Sequence, residues 1–135
     1  MSLSPTPDQP LVIVGAGPVG LAAAAHAVER GLPVTVLEAG PTVGAAVLEW
    51  GHVRLFSPWS ELVDDAAARL LEATGWVRPA GEAAPTGREW VEAYLRPLAE
   101  ALLDRGAVLR VGSEVVGLAR RGRDRLVAQA REEVP

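Results

Sequence analysis

The chain has 135 residues, with 17 acidic and 13 basic side chains, a net charge of −4 and no cysteine. Its length allows one domain or a part of one, and a hydrophobic fraction of 49% is enough for a buried core. The negative net charge argues against a nucleic-acid-binding domain, which is usually basic. The lack of cysteine excludes disulfides, thiolate metal sites and Cys-x-x-Cys redox pairs.

The first forty residues predict a strand, a helix and a second strand. We expect residues 1–10, which are polar and proline-rich, to be a flexible lead-in to a domain over residues 11–135. Leu11–Val14 is typical of a strand buried on both faces, and residues 33–38 have the same character. Pro18 suits the first turn of the intervening helix, and Gly31 suits its end. These elements form a βαβ unit with a right-handed crossover.

The apolar run from Leu11 to Val28 is also long enough to raise the alternative of a membrane helix. Three glycines and Pro18 interrupt it near its start, which favours the strand and helix. We expect a cytoplasmic protein.

Two further helices are predicted in the middle of the chain. Residues 39–60 read as a loop, and a helix follows from about Glu61 to Thr74, where Gly75 stops it. Asp64 and Asp65 are expected in its first turn. After a connection over residues 76–85, Thr86 and Glu89 make a capping box that opens a longer helix. Its expected core stripe is Trp90, Tyr94, Leu98 and Leu102, joined by Val91 and Leu95, with a kink at Pro97 and an end at Gly106.

The C-terminal part predicts short strands at Ala107–Val111, Val115–Ala119 and Leu126–Ala130. The turn Arg120–Arg125 separates the last two, so we expect a short antiparallel region there and a solvated turn.

The hexapeptide Gly15–Gly20 fits G-x-G-x-x-G between a predicted strand and a predicted helix, which is the context that this dinucleotide-binding motif requires. The first glycine permits the tight turn, the second lets the backbone approach a pyrophosphate, and the third lets helix and strand pack closely. The helix N-terminus then presents N–H groups to the phosphates. Pro18 and Val19 belong to the same predicted site.

Glu38 ends the second strand, 18 residues after Gly20. A carboxylate there can accept hydrogen bonds from both ribose hydroxyls and would repel a 2′-phosphate, which disfavours NADP at this site. We include the neighbouring Ala39 in the cofactor site. The alternative is a generic βαβ turn with an exposed glutamate. The predicted fold is therefore α/β, a Rossmann-like FAD/NAD(P)-binding parallel sheet with crossover helices.

Gly15, Gly17, Gly20, Ala24, Gly31, Val34 and Glu38 fall into the longer pattern G-x-G-x-x-G-x₃-A-x₆-G-x₂-V-x₃-E. This resembles the N-terminal FAD fingerprint of flavoprotein oxidoreductases with two dinucleotide-binding domains, such as flavin-containing monooxygenases and thioredoxin-reductase-like enzymes. In that family a Gly-Gly pair commonly follows the glutamate, whereas here Gly44 is followed by Ala45.

The resemblance extends to three further segments. Residues 50–59 occupy the place of the loop beside the flavin, where Arg54 or Ser57 would bind a flavin carbonyl or a phosphate. The helix with P-T-x₇-Y-L begins at Pro85, and the strand near Val116 is similar to one whose backbone meets the adenine. The aromatic residues of the loop either face the ligand or anchor the loop on the core. Flavin would carry the redox chemistry, so no catalytic residue is assigned.

Other site chemistry has little support. His26 is expected to be a structural residue of the first helix, and His52 lies in the loop. Two histidines without a spaced carboxylate pair do not predict a metal site, and Ser57 lacks a G-x-S-x-G setting.

The resemblance implies FAD as the cofactor, NAD(P)H as the co-substrate of a full-length relative, and a second glycine-rich unit that this sequence lacks. The leading hypothesis is the FAD-binding portion of a monooxygenase-like oxidoreductase, inactive as an isolated chain. An NAD-dependent dehydrogenase domain is one alternative. A nucleotide-binding module completed by another polypeptide, or by a second copy, is another.

Overall fold

The computed structural model describes residues 4–120 and contains one parallel β-sheet. Its strands are β1 (Leu11–Val14), β2 (Val34–Leu37) and β3 (Val108–Arg110), in the order β1-β2-β3. Ile13, Val36 and Leu109 lie side by side across it. All three strands end at the same edge, which is where α/β proteins of this kind bind their ligands. The predicted Rossmann-like α/β fold is confirmed.

The described part of the chain contains seven helical segments. They are α1 (Pro18–Glu29), α2 (Ala45–Glu49), α3 (Trp59–Leu62), α4 (Asp65–Glu72), α5 (Gly87–Trp90), a π-helical turn (Val91–Leu95) and α6 (Arg96–Asp104). The last three follow one another without a break. The predicted capping box is present, with the Thr86 hydroxyl accepting from the Glu89 N–H and the Glu89 carboxylate accepting from the Thr86 N–H.

The core lies between one face of the sheet and the helices. Val36 of β2 packs there with Leu21 of α1 and Leu102 of α6, all three buried. The opposite face carries Val12 and Val14, whose relative exposures are 51% and 66%. Parallel strands are normally covered on both faces. Within residues 4–120, therefore, the sheet has only one of its two layers of cover.

The single helix predicted over residues 61–74 is wrong, because two helices occupy that stretch. Val63 is extended, with φ −111° and ψ 119°, and separates α3 from α4. Asp64 is the N-cap of α4, where its carboxylate accepts a 3.0 Å hydrogen bond from the Ala67 N–H. The apolar spacing continues through the break because Val63 is buried as well.

Two other predictions need correction. Residues 39–60, predicted as a loop, contain the short helix α2. Residues 115–119 form no strand, although β3 lies within the preceding predicted strand, at Ala107–Val111. Val116 and Leu118 are exposed, and within the described residues no strand pairs with this stretch. The predicted strand at Leu126–Ala130 and most of the turn Arg120–Arg125 lie outside the described residues.

The apolar run from Leu11 to Val28 is divided between β1 and α1, as the strand-and-helix interpretation predicted. Among residues 4–120, no helix has the length and apolar character needed to cross a membrane.

Candidate functional site

The glycine-rich turn joins β1 to α1 at the carboxyl end of the sheet. Gly15 has φ +100°, a conformation that favours glycine, and its N–H donates to the Leu37 carbonyl at 2.7 Å. A Cβ on Gly20 would collide with the Gly15 carbonyl oxygen. The first and third glycines are therefore required by the fold itself, for the turn and for the approach of α1 to β1.

The second glycine has a different environment. Gly17 is the N-cap of α1, with φ −88° and ψ −170°, and any residue can adopt this extended backbone. A Cβ added there would meet no protein atom within 4 Å. Neither backbone strain nor packing within the described chain requires glycine at this position. What the missing side chain leaves is open space at the first turn of α1.

The carboxylate of Glu38 connects the glycine-rich turn to the end of β2. Its Oε2 accepts from the Ala16 N–H at 2.6 Å, and its Oε1 accepts from the Gly40 N–H at 2.9 Å. The side chain is half-buried. Each carboxylate oxygen can accept more than one hydrogen bond, so both retain capacity for hydroxyl groups of a ligand.

Sequence reasoning missed the chain segment that follows β3. The Gly112 N–H donates to the Gly40 carbonyl and the Ser113 N–H donates to the Glu38 carbonyl, both at 2.8 Å. These bonds hold the segment beside the Glu38 backbone. Gly112, with φ +60°, was a turn signal that could have indicated it.

Gly44 and Ala45, at the start of α2, lie beside the glycine-rich turn and Gly40. The Gly44 N–H donates to the Ala16 carbonyl at 2.9 Å, which ties the start of α2 to the glycine-rich turn. A Cβ on Gly40 would collide with the Ala45 methyl group. Ala45, which replaces the second glycine of the family pattern, thus packs over Gly40.

The segment over residues 50–59 is held against residues 81–88. The Leu55 N–H donates to the Pro85 carbonyl and the Trp59 N–H donates to the Ala83 carbonyl, both at 2.9 Å. Trp59 is buried and anchors the segment, whereas Phe56 is fully exposed. The interpretation of this loop as an aromatic anchor is therefore right for Trp59 and wrong for Phe56.

Arg54 already has a partner within this segment. Its Nη1 donates to the Ala84 carbonyl at 2.6 Å and lies 3.8 Å from Glu89 Oε2. Ser57 is half-buried and His52 is exposed. A role for Arg54 or Ser57 in binding flavin stays a prediction.

Four other predicted contacts are exposed to different degrees. Val19 is exposed and Pro18 is half-buried in the first turn of α1, and Ala39 is exposed just after β2. Val116 is 91% exposed and lies outside any strand. Its proposed contact with adenine cannot depend on the strand expected there.

A crevice of about 380 Å³ lies beside the first turn of α1. Pro18 and Val19 line one side, and Leu62, Trp90 and Tyr94 line the other. The Trp90 indole donates to the Leu62 carbonyl at 3.3 Å, and the Tyr94 hydroxyl accepts from the Asp64 N–H at 3.1 Å. The segment over residues 44–64 therefore lies beside the glycine-rich turn at both of its ends: Gly44 is bonded to Ala16, and Leu62 lines the crevice with Pro18.

His26 links α1 to α4, as expected of a structural residue. Its Nε2 lies 3.0 Å from Asp64 Oδ1, and Arg30 Nη1 lies 3.3 Å from its Nδ1. A guanidinium only donates, so the contact with Arg30 requires Nδ1 to accept and leaves Nε2 to donate to Asp64. Burial opposes ionisation of Asp64, but hydrogen bonds from the Ala67 N–H and from His26 outweigh it and lower the pKa of this carboxyl. Among the described residues, no group of three potential ligands could hold a metal ion.

Comparisons with known proteins agree with this geometry. Residues 13–75 match the family model described as "NAD(P)-binding Rossmann-like domain". No curated protein matches the chain significantly.

Several solved structures share the fold. The bacillithiol disulfide reductase Bdr of Staphylococcus aureus is 18% identical, with a TM-score of 0.55 over 79% of this chain and 29% of that one. The Diels-Alderase PyrE3 of pyrroindomycin biosynthesis is 17% identical, with a TM-score of 0.56 over 83% of this chain and 27% of that one. THI4 of Thermovibrio ammonificans is 22% identical, with a TM-score of 0.50 over 76% of this chain and 38% of that one.

The chain therefore spans between 27% and 38% of the length of these three structures. These likenesses show the fold, which is the fold that the resemblance to flavoprotein oxidoreductases predicted. Residues 13–75, a little under half of the chain, are therefore similar to an NAD(P)-binding Rossmann-like domain, and the structure has the corresponding fold.

Proposed function

We propose that the chain is the FAD-binding portion of an NAD(P)H-dependent, monooxygenase-like flavoprotein oxidoreductase, and that it is catalytically incomplete by itself. The observation that carries this proposal is the open space at Gly17, where the fold does not require glycine. A ligand that approaches the backbone closely explains the glycine there. The pyrophosphate of a dinucleotide is such a ligand.

The ADP half of FAD fits the residues around this space. The first turn of α1 would take the pyrophosphate, since a helix N-terminus carries N–H groups and partial positive charge. Glu38 would accept hydrogen bonds from the ribose hydroxyls through the capacity that its two backbone partners leave free. Bound flavin would supply the redox chemistry, and the role of these residues would be to bind and orient it.

The sequence pattern supports FAD over NAD. The fingerprint continues through Ala24, Gly31 and Val34 to Glu38, and the P-T-x₇-Y-L pattern begins at Pro85. The Glu38 carboxylate would repel a 2′-phosphate, so NADP is disfavoured here. An NAD-dependent dehydrogenase domain is the alternative enzyme. Ala39, Arg54, Ser57 and Val116 are further proposed contacts, and a cytoplasmic location belongs to the same proposal.

A titration of the purified chain tests the cofactor. FAD, NAD and NADP are added in turn, and binding is followed by flavin fluorescence or by calorimetry. We expect weak binding of FAD, little binding of NADP, and no oxidation of NAD(P)H. Binding of NAD without FAD would favour the dehydrogenase alternative, and turnover would show that the chain is complete.

A matched pair of variants tests the site. Gly17→Ala and Gly81→Ala each add one methyl group without a severe clash, since the nearest atom to a Cβ at Gly81 is 3.5 Å away. We expect only Gly17→Ala to weaken FAD binding, about tenfold or more, with both variants unfolding near the wild-type temperature. Equal FAD affinity in the two variants would contradict a pyrophosphate site at Gly17.

The sheet supports a second candidate, a nucleotide-binding module that another polypeptide completes. Among the described strands β1 is at the sheet edge, and its Val12 and Val14 are exposed on the uncovered face. Exposed apolar edge strands are usually paired or covered. Size-exclusion chromatography with the polypeptide encoded downstream tests this candidate. A complex that binds FAD when neither piece does so alone would support it, and self-association would instead favour a homo-oligomer.

A further inference from the structure

The helix over residues 87–104 is irregular at its centre. Its π-helical turn is closed by the Arg96 N–H, which donates to the Val91 carbonyl, five residues back. Pro97 follows directly. A proline inside a helix has no N–H to donate, and its ring conflicts with the carbonyl four residues earlier, here that of Ala93. The wider turn is the local response to this conflict.

A side chain supplies the donor that Pro97 lacks. The Trp76 indole N–H donates to the Ala93 carbonyl at 2.8 Å. Trp76 is half-buried against the core, and its ring lies 6.3 Å from that of Tyr94. The wide turn is thus held from outside the helix as well as by the helix itself.

The wide turn packs against a wall of the dinucleotide site. Val91 and Leu95 are both fully buried. A Cβ on Gly44 would lie 2.9 Å from Val91 Cγ2 and 3.3 Å from Leu95 Cδ1, so both side chains press closely on the Gly44 backbone. Gly44 has φ +67°, and its N–H donates to the Ala16 carbonyl at 2.9 Å.

Ala16 is the residue of the glycine-rich turn whose N–H also binds Glu38. The contacts therefore form one chain: Pro97 and Trp76 define the wide turn, the wide turn supports Gly44, and Gly44 holds Ala16. We propose that Val91, Leu95 and Pro97 are positioning residues of the dinucleotide site, acting through Gly44. This inference rests on the proposed function, because it names the elements that hold the turn in its binding geometry.

Two variants change the wide turn in different ways. Pro97→Ala restores the helical N–H, so we expect the turn to tighten and the buried side chains before it to rotate relative to Gly44. Because alanine is the better helix former, this variant should unfold at or above the wild-type temperature. Val91→Ala keeps the turn but removes the methyl groups that touch Gly44. Unlike Pro97→Ala, it should lower the unfolding temperature, because it leaves a cavity in the core.

Val34→Ala is the matched control. Val34 belongs to the family pattern as a core position, since it is a buried valine at the opposite end of β2 from Glu38. Its truncation should therefore reduce stability without affecting the turn. We expect Pro97→Ala and Val91→Ala to raise the FAD dissociation constant at least tenfold, and Val34→Ala to leave it within twofold of the wild type. Wild-type FAD affinity in both Pro97→Ala and Val91→Ala would overturn the inference.

Amide hydrogen exchange without ligand separates this inference from the proposed function. Pro97→Ala and Val91→Ala should speed exchange of the Gly44 amide at least tenfold, whereas Val34→Ala should not. If the two variants speed exchange at Gly44 but the wild type binds no dinucleotide, the link from the wide turn to Gly44 is supported and the proposed function is rejected. Unchanged exchange at Gly44 would overturn the link, whatever the chain binds.

Discussion

The Ala16 N–H donates a 2.6 Å hydrogen bond to the Glu38 carboxylate. The two residues are 22 positions apart, and the parallel pairing of β1 with β2 brings them together, with Val14 beside Leu37. One carboxylate thus has two tasks, because it holds the glycine-rich turn in place and remains available to ligand hydroxyls. Substitution of Glu38 should therefore affect both the fold and the site.

Glu38→Gln is expected to weaken FAD binding about tenfold and to reduce the preference for nucleotides without a 2′-phosphate. An amide has one acceptor oxygen where the carboxylate has two, and it does not repel phosphate. Calorimetric titration with ADP-ribose and with its 2′-phosphate measures both effects. Glu49→Gln, at an exposed position in α2, is the control. An unchanged ratio of the two affinities would contradict the assignment of Glu38 to the ribose.

Gly20→Ala is expected to destabilise the fold, by about 1–3 kcal/mol or more, because the new methyl group would collide with the Gly15 carbonyl oxygen. Gly17→Ala, three residues away, should change the free energy of unfolding by less than about 0.5 kcal/mol, as surface substitutions usually do. Urea unfolding of the two variants checks this contrast. Equal stability would mean that α1 can move away from β1 at little cost.

Asp64 should make the stability of the protein depend on acid pH. Its pKa is lower in the folded state, so its charge stabilises the fold above the unfolded-state pKa of about 3.9. That contribution is lost as the pH falls through the lower folded-state pKa. Asp64→Asn keeps a good N-cap residue but does not titrate.

Urea midpoints measured between pH 2.5 and pH 6 test this dependence. The wild type should be the more stable protein near pH 6, and the difference between the two should shrink toward the acid end. Parallel curves would show that the Asp64 charge adds nothing to stability.

Trp76→Phe is expected to lower the free energy of unfolding by about 1–3 kcal/mol, because it removes the donor to the Ala93 carbonyl. Trp50→Phe makes the same change at a residue that is 37% exposed, where no hydrogen bond to the protein comparable to that of Trp76 is lost within the described residues. Thermal unfolding of both variants, followed by circular dichroism, compares them. A loss no greater for Trp76→Phe than for Trp50→Phe would mean that the Ala93 carbonyl finds another donor.

The predictions that succeeded depend on short-range signals. The β1–turn–α1 unit, the helix end at Gly31 and the capping box at Thr86 all follow from backbone rules that act within a few residues. The division of the predicted helix over residues 61–74 was missed, because buried Val63 continues the apolar spacing through the break. Only the contacts of Asp64 with Tyr94 and His26 show why the chain turns there.

The sequence by itself determined the dinucleotide motif, the α/β class and, to within one residue, the end of β2, which the sequence placed at Glu38 and the structure places at Leu37. These features depend on residue type and spacing along the chain. Tertiary structure decided that Gly17 is the glycine of the motif that neither backbone conformation nor packing requires. It also decided that Arg54 is bound to the Ala84 carbonyl and that Gly44 joins the glycine-rich turn to the π-helical turn. Length, composition and charge had indicated one domain or a part of one. The contacts that only the tertiary structure shows join atoms that are far apart in the chain. No pattern of neighbouring residues can therefore predict them.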